Sequence, residues 1–530
     1  MTDQRKFDYD YVIIGSGFGG SVAALRLSEK GYKVLVVEKG KWLTQDDFPK
    51  TNWNLKRWLW LPTLKFFGLF RMDFFRHITI LSGIGVGGGS LVYANTLAMP
   101  KPKFFEAKSW AHLADWEDEL ETFYQTSLSM LGSAPNPRLE VGDKALQKLA
   151  QQIDMQDHFE ATDVAIYFGE PDVTVSDPYF DGKGPDRSGC NFCGGCLLGC
   201  RHNAKNTLDK NYLHLAQQNG ATIQAESEVY DVLPLGQGDG SQGYSIKWKS
   251  STSSKRGKHT CHGVVFAGGV LGTVKLLLEL KQSSLPNLSD KVGSGVRTNS
   301  ESLIGVTALD RETVFSDGIA IGSILHTDEN SHLEPVRYSP GSGFWRMLQA
   351  PMVHGSNALI RTFRALADFV ARPIENLKVL FVDDWSKRTQ ILLFMQTLDS
   401  HLRFSKGALG MKTSVDKGEN PTAFIPEAKT LADQYGSIVN GKARVLITET
   451  ILGIPTTAHI LGGAVMGSDR DEGVVDQDNH VFGYENMLVC DGAMVSANPG
   501  VNPALTITSL AERAMSKIQQ VAHTTSRYTR

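Results

Sequence analysis

Cysteine is scarce in this chain: six occur in 530 residues, and four of the six fall between Cys190 and Cys200. That crowding excludes a disulfide-stapled secreted scaffold, in which paired cysteines are spread along a short chain. Long apolar runs are missing as well. No stretch reaches the roughly 18 uncharged apolar residues that a membrane-spanning helix needs, and the best candidate, 264–280, carries Lys275, Glu279 and glycine turns. The N-terminal MTDQRKFDYDYVIIGSG has only a few apolar residues before its glycines begin. It reads as a buried strand and not as a signal-peptide core, and so points to a cytoplasmic protein. Charge of one sign is also absent. Lys and Arg number 54 against 57 Asp and Glu, for a net charge of −3 with the signs interspersed. A phosphate backbone needs a basic field, so nucleic acid is excluded as a partner.

Glycine, by contrast, is abundant, with 52 residues gathered in a few tight runs. The first follows the β-branched run Tyr9 to Ile14. In Gly15-Ser-Gly-Phe-Gly-Gly20 the spacing fits a turn at Gly15, close approach of a pyrophosphate at Gly17 and helix-on-strand packing at Gly20. An Ala/Leu-rich helix from Ser21 to Lys30 and a second strand, KVLVVE, complete a βαβ unit. Glu38 ends that second strand about 20 residues after the glycines, where a carboxylate holds ribose hydroxyls and repels a 2′-phosphate. The cofactor class is therefore FAD or NAD and not NADP. Chain length implies at least two domains. Residues 101–156 read as mainly helical, and 221–265 as strands with a hairpin at 236–243. Val264 to Ala267, leading into a helix from Gly272, reads as a second βα unit of the nucleotide-binding domain.

Two segments are aromatic and basic: 51–75, containing NWNLKRWLWLPTLKFFGLFRMDFF, and 340–384, where apolar residues alternate with Arg346, Arg361, Arg364 and Arg372. Each fits either core packing or an apolar lid that touches a membrane surface.

Several motifs together resemble the GMC (glucose-methanol-choline) flavoprotein oxidoreductases and, within them, the cholesterol oxidase branch. They are the first glycine run, Gly85-Val-Gly-Gly-Gly-Ser-Leu-Val92, Leu285-Pro-Asn-Leu-Ser-Asp-Lys-Val-Gly293, His459-Ile-Leu-Gly-Gly463, Leu488-Val-Cys-Asp-Gly492 and Gly500-Val-Asn-Pro-Ala-Leu-Thr-Ile-Thr508. The resemblance runs end to end. It implies an α/β fold with a Rossmann-type domain binding FAD non-covalently, assigned to 1–50, 76–100, 201–310 and 450–530. A sheet-and-helix substrate domain is assigned to 101–200 and 311–449. The implied cofactor-binding residues are Gly15, Gly17, Gly20, Glu38, Gly87, Gly88, Gly89, Ser90, Val229, Asp491, Gly492, Asn502 and Pro503. Each glycine of Gly87 to Gly89 removes a side chain where backbone must pass close to a flat ring. Pro503 fits the first position of a helix Ala504 to Gln519 with Asn502 as its N-cap, and a helix N-terminus favours the negative charge that builds on a reduced flavin.

The resemblance makes His459 the proton acceptor, although the family's usual His-Pro is His-Ile here, and Asn502 the residue that orients substrate or flavin. It places Glu334, in Ser331-His-Leu-Glu-Pro-Val-Arg-Tyr338, where sterol oxidases carry the carboxylate that isomerises a 5-ene-3-ketone to the conjugated enone. Burial would raise its pKa, whereas a pairing with Arg337 would keep it ionised. The implied substrate is a bulky apolar alcohol such as a 3β-hydroxysteroid.

Cys190-x2-Cys193-x2-Cys196-x3-Cys200 has the spacing of a ferredoxin cluster run, with Arg201 in place of the usual proline. It fits an iron-sulfur cluster, a zinc site or a metal-free thiol knot. Three functions follow: alcohol oxidation with oxygen as acceptor, the same oxidation with electrons relayed through a cluster to a carrier, and a flavin-containing isomerase or lipid-binding protein without net redox. Cys261 and Cys490 read as core residues.

Overall fold

The computed structural model of the chain describes residues 7–398, 400–408, 410–418 and 421–521. Strand Tyr9–Ile14 pairs in parallel with Val34–Val37 on one side and with the second half of Arg256–Phe266 on the other. Thr222–Gln224 extends the sheet beyond Val34–Val37, and Met487–Val489 pairs in parallel with Val264 to Phe266. The hairpin strands Ser227–Pro234 and Tyr244–Ser250 complete a seven-stranded sheet. The parallel strands end level, with Ile14 opposite both Val37 and Phe266, and Phe266 opposite Val489. Their carboxyl ends therefore bring Gly15, Glu38, Ala267 and Cys490 to one edge, the place where open α/β sheets bind ligands. Tyr11 to Ile14 and Val34–Val37 are buried and read as continuous apolar runs, as central strands of parallel sheets covered on both faces do.

A second seven-stranded sheet is antiparallel throughout, in the order Gln349–Pro351, Gly441–Leu446, Ser302–Ala308, Thr389–Gln396, Ser331–Val336, Ser323–His326, Phe159–Ala161. Side chains alternate across it with period two. Ile304, Val306, Leu392, Phe394 and Leu333 pack with residues of the helices Val141–Gln152 and Pro426–Ile438. Leu303, Leu393 and Val336 face the other way, into a cavity between the two sheets.

Several boundaries differ from the expected ones. Strand Ser302–Ala308 belongs to the second sheet although 201–310 was assigned to the cofactor domain. Trp116, Leu120 and Tyr124 of helix Trp116–Met130 lie in the core of the first sheet, which draws part of 101–156 into that domain. The helix expected from Gly272 begins at Gly269. The C-terminal helix spans Ala504–Ser516, and Pro503 takes its cap position, so Asn502 stands one residue outside and does not cap it.

The aromatic segments pack against each other. Trp58 is buried, stacks on Phe70 with ring centroids 5.0 Å apart, and meets Phe344 and Trp345 edge-on. Part of 51–75 is thus core. Helix Ala358–Ala371, in contrast, has no buried residue, with Leu359 83%, Phe363 73% and Val370 79% exposed, and Phe381 beyond it 78% exposed. Among the described residues no helix is long and apolar enough to cross a membrane.

Candidate active site

A cavity of about 580 Å³ lies between the carboxyl edge of the first sheet and the bare face of the second. Its polar end is lined by Gly15, Gly17, Glu38, Gly268, Asp491 and Gly492, its apolar end by Leu303, Ile321, Val336, Trp345, Ile391 and Leu393. Gly15 adopts φ +105°, and a Cβ there would lie 2.3 Å from the Ala267 carbonyl oxygen, so only glycine makes this turn. A Cβ on Gly17 would meet nothing within 4 Å, which leaves an open cradle at the start of helix Phe18–Glu29. Gly20 does not line the cavity; a Cβ there would strike the Gly15 carbonyl, so it serves helix-on-turn packing.

These residues fit a dinucleotide. Glu38 lines the cavity, and its carboxylate accepts from Ser16 N–H at 3.1 Å, Ser16 Oγ at 2.9 Å and Gly40 N–H at 2.8 Å. Burial pushes the Asp491 carboxyl up to about 6, against hydrogen bonds donated by Thr273 Oγ1 and Ala493 N–H. Val229, Gly88, Gly89, Asn502 and Pro503 also reach the cavity wall. Gly87 and Ser90 do not. Ser90 is buried, donates to the Gly87 carbonyl at 2.7 Å and accepts from Leu208 N–H at 3.1 Å, so it ties the glycine loop to the segment at 208. His77, which precedes the glycine loop, lies off the cavity wall with its Nδ1 2.9 Å from Thr413 Oγ1. Bound FAD supplies a hydride-accepting ring.

Of the side chains expected to act on substrate, His459 and Asn502 line the cavity and Glu334 does not. His459 follows the short strand Thr456–Thr457 and lines the cavity. Asn502, just before helix Ala504–Ser516, donates from Nδ2 to Glu334 Oε2 at 3.3 Å, and its Oδ1 has no hydrogen-bond partner among the described residues. Glu334 is fully buried, with Oε1 3.4 Å from His332 Nε2. Register explains its direction: Glu334 and Leu303 both lie opposite Leu393, so it shares the cavity-side row of the sheet. Arg337, one odd step along the strand, points to the other face and pairs with Asp143 at 2.8 Å. The pairing considered between Arg337 and Glu334 does not form.

Sequence patterns do not mark two further acids. Glu301, also fully buried, lies with Oε1 3.2 Å from His459 Nδ1. It accepts a hydrogen bond from Thr457 Oγ1 and another from Ala458 N–H at 3.1 Å. Burial acts to raise its pKa, but the charge of His459 and these hydrogen bonds outweigh it and lower the pKa. For His459 burial acts to lower the pKa, and the charges of Glu301 and Glu334 with the Glu301 hydrogen bond turn the net shift upward. Glu449, in the π-helical turn Thr448–Leu452, is pushed up to about 8, chiefly by burial. Neither acid sits in a recognisable motif, so no sequence signal would have found them.

The iron-sulfur reading of the cysteine run is not supported. Cys190, Cys193, Cys196 and Cys200 line one small cavity, but its volume is about 20 Å³, room for about one water and too little for a cluster. Among the described residues no group of three or more His, Cys, Asp or Glu stands so as to hold a metal. Lys205 also lines this cavity, its Nζ donating to the carbonyls of Leu91, Tyr93 and Cys196. Cys261 and Cys490 are fully buried core residues.

Comparison with known proteins agrees with this architecture. Two models of the GMC oxidoreductase family match residues 182–298 and 415–511, and a model of the NAD(P)-binding Rossmann-like domain matches 13–43. A cholesterol oxidase of Acinetobacter baumannii is 43% identical over 527 residues, covering 97% of this chain and 95% of that protein. A cholesterol oxidase of Mycobacterium tuberculosis is 41% identical over 528 residues, covering 96% and 91%. At the level of fold, the crystal structure of pyridoxine 4-oxidase from Mesorbium loti superimposes with a TM-score of 0.62 at 15% identity, covering 96% of this chain and 98% of that one. With the dinucleotide cradle opening onto a buried His–Asn–Glu constellation, these matches place the chain in the GMC oxidoreductase family, cholesterol oxidase-like: an FAD-dependent oxidoreductase acting on CH–OH groups.

Proposed function

We propose that the chain oxidises the 3β-hydroxyl of a sterol to the ketone, passes the electrons to oxygen, and moves the 5,6 double bond into conjugation. The observation that carries this reading is the two-ended cavity. Its apolar end suits a rigid hydrocarbon body, and His459 and Asn502 line the cavity, with Glu334 behind Asn502 at 3.3 Å. His459 takes the hydroxyl proton and Asn502 holds the oxygen through its amide, while FAD, held by Gly15, Gly17, Glu38 and Asp491, would supply the hydride acceptor. Glu334, beyond Asn502, then carries a proton from C4 to C6 of the ketone. The names of the 41–43% identical relatives support a sterol as substrate.

Anaerobic mixing with a 5-ene-3β-hydroxysteroid tests this. Flavin bleaching without oxygen, followed by recovery of the yellow colour and peroxide formation on admitting air, is expected. An unbleached flavin would overturn the oxidation, and bleaching that oxygen does not reverse would overturn the acceptor. FAD is held non-covalently in this reading, so acid precipitation leaves the yellow colour in solution.

The enzyme also docks peripherally on lipid in this reading. Leu359, Phe363, Leu366 and Val370 project from helix Ala358–Ala371, Ile374, Leu377 and Phe381 follow, and Arg364, Arg372 and Lys378 lie among them. An apolar stripe with basic flanks suits a bilayer interface.

A further inference from the structure

Glu301 is a carboxylate in a costly position. It is wholly buried, yet Thr457 Oγ1 and the Ala458 amide donate to it, and the imidazole of His459 stands 3.2 Å away through Nδ1. An ionised carboxylate is tolerated at such depth only when it is paired and hydrogen-bonded. Thr457 makes the arrangement stiffer, because its Oγ1 also accepts from the His459 amide at 2.9 Å. One hydroxyl thus fixes both the carboxylate and the backbone that carries the histidine.

We propose that Glu301 is a positioning residue for the alcohol oxidation: it holds the Nδ1–H of His459, so that Nε2 faces the cavity as acceptor of the hydroxyl proton. The proposal rests on the alcohol-oxidising role of this site. In the step itself, the O–H proton of the alcohol moves to Nε2, the carbinol C–H bond breaks with its electron pair passing to the bound cofactor, and the C–O bond becomes a carbonyl. The charge left on the ring is an imidazolium, and Glu301 is the anion nearest to it. A carboxylate behind a histidine fixes the tautomer and steadies the cation in the same way in other proton-transferring sites.

Other charged groups near the imidazole are few. Glu334 acts on it from the substrate sheet, with His332 on the far side of that carboxylate. Glu449 interacts with Glu301, but burial keeps it protonated at neutral pH. Loss of the Glu301 charge should therefore lower the His459 pKa, and the base should become available at lower pH.

The test is a comparison of Glu301→Gln and Glu301→Asp with the parent, all loaded with FAD, by two readouts. The first is the titration of His459 by nitrogen NMR of histidine-labelled enzyme, with its signal assigned by loss in His459→Gln. The second is the pH dependence of anaerobic flavin reduction by an alcohol the enzyme accepts. In Glu301→Gln, both the His459 titration and the acid limb of the rate profile should move to lower pH by about one unit or more, as expected when a neighbouring opposite charge is removed. The plateau rate should fall by about 10- to 100-fold, because an amide no longer selects the Nδ1–H tautomer. Glu301→Asp should keep the titration close to that of the parent. An unmoved titration in Glu301→Gln, or a rate loss equal at every pH, overturns the proposal. Should Glu301→Gln not fold, the parent decides alone: above its titration, nitrogen shifts must show His459 protonated at Nδ1, and a ring protonated at Nε2 overturns it. The NMR readout needs no steroid, so failure of the sterol reading with the predicted titration intact would be distinguishable.

Discussion

At the residue scale, the site depends on how a few polar side chains are divided between contacts with one another and contact with substrate. His459 stands with Nδ1 3.2 Å from Glu301 Oε1 and lines the cavity. His459→Ala should therefore slow anaerobic flavin reduction by roughly 10²-fold or more, since a positioned base contributes a factor of about 10² to 10⁴. The flavin should remain bound, as read from its absorbance after gel filtration, because the Gly15 to Gly20 turn, Glu38 and Asp491 lie at the other end of the cavity. Loss of FAD would make the histidine structural. Glu334 meets Asn502 and His332 and not an arginine. Glu334→Gln should spare oxidation and block double-bond migration, so that the 5-ene-3-ketone accumulates; chromatography showing the conjugated enone at the parent rate would remove that role.

At the scale of elements, the second sheet works because its two faces do different jobs. One face packs on Val141–Gln152 and Pro426–Ile438, and the other stays bare as the cavity wall. Helix Ala358–Ala371 lies outside that plan. It packs on the turn Thr448–Leu452, with Arg361 donating to the Ile451 carbonyl, and turns its apolar side chains to solvent. Phe363→Asp with Val370→Asp should reduce co-sedimentation with anionic vesicles by about tenfold or more, as burial of each large apolar side chain is worth about 1.5–3 kcal/mol. Turnover of detergent-dispersed steroid should be unchanged. Equal vesicle binding by the parent and the double variant would show that this helix is not the docking face.

At the scale of the whole molecule, the two sheets enclose acids that water cannot reach, and stability should register this. Glu449 has a folded pKa of about 8, above its ordinary value in an unfolded chain, mainly because it is buried. Between those two values the folded state binds more protons than the unfolded one, so this group's contribution falls as pH rises through the window and is lowest above about 8. Glu449→Gln keeps the shape without the charge. It should stabilise the fold relative to the parent little near pH 5 and increasingly toward pH 8.5, by on the order of a few kcal/mol at most, seen as a rising melting temperature. A difference independent of pH, read by calorimetry, would show that Glu449 is not the group responsible.

Much of the cofactor half was legible because its signals are local. Turn, helix and strand around Gly15, Gly17 and Gly20 follow one another within the first 38 residues, and Gly15 and Gly20 each face a backbone carbonyl while Gly17 leaves open space. His459, Asn502 and Glu334 are expected from motif context, and Asn502 lies 3.3 Å from Glu334, whose charge acts on His459. What tertiary structure alone decided is the company these residues keep. Glu301 and His459 are far apart in sequence, and nothing short-range links them; only the pairing of Thr456–Thr457 with Thr79–Gly83, beside the strand that begins at Ser302, brings carboxylate to imidazole. The same holds for the cysteine run. Its spacing suggests a cluster, but spacing constrains only the loop, and packing closed the cavity the four cysteines line to about 20 Å³. Sequence determines the elements and their amphipathic faces because those depend on neighbours a few bonds away; burial, ion pairing and cavity shape depend on which distant segments meet, and only the folded chain decides that.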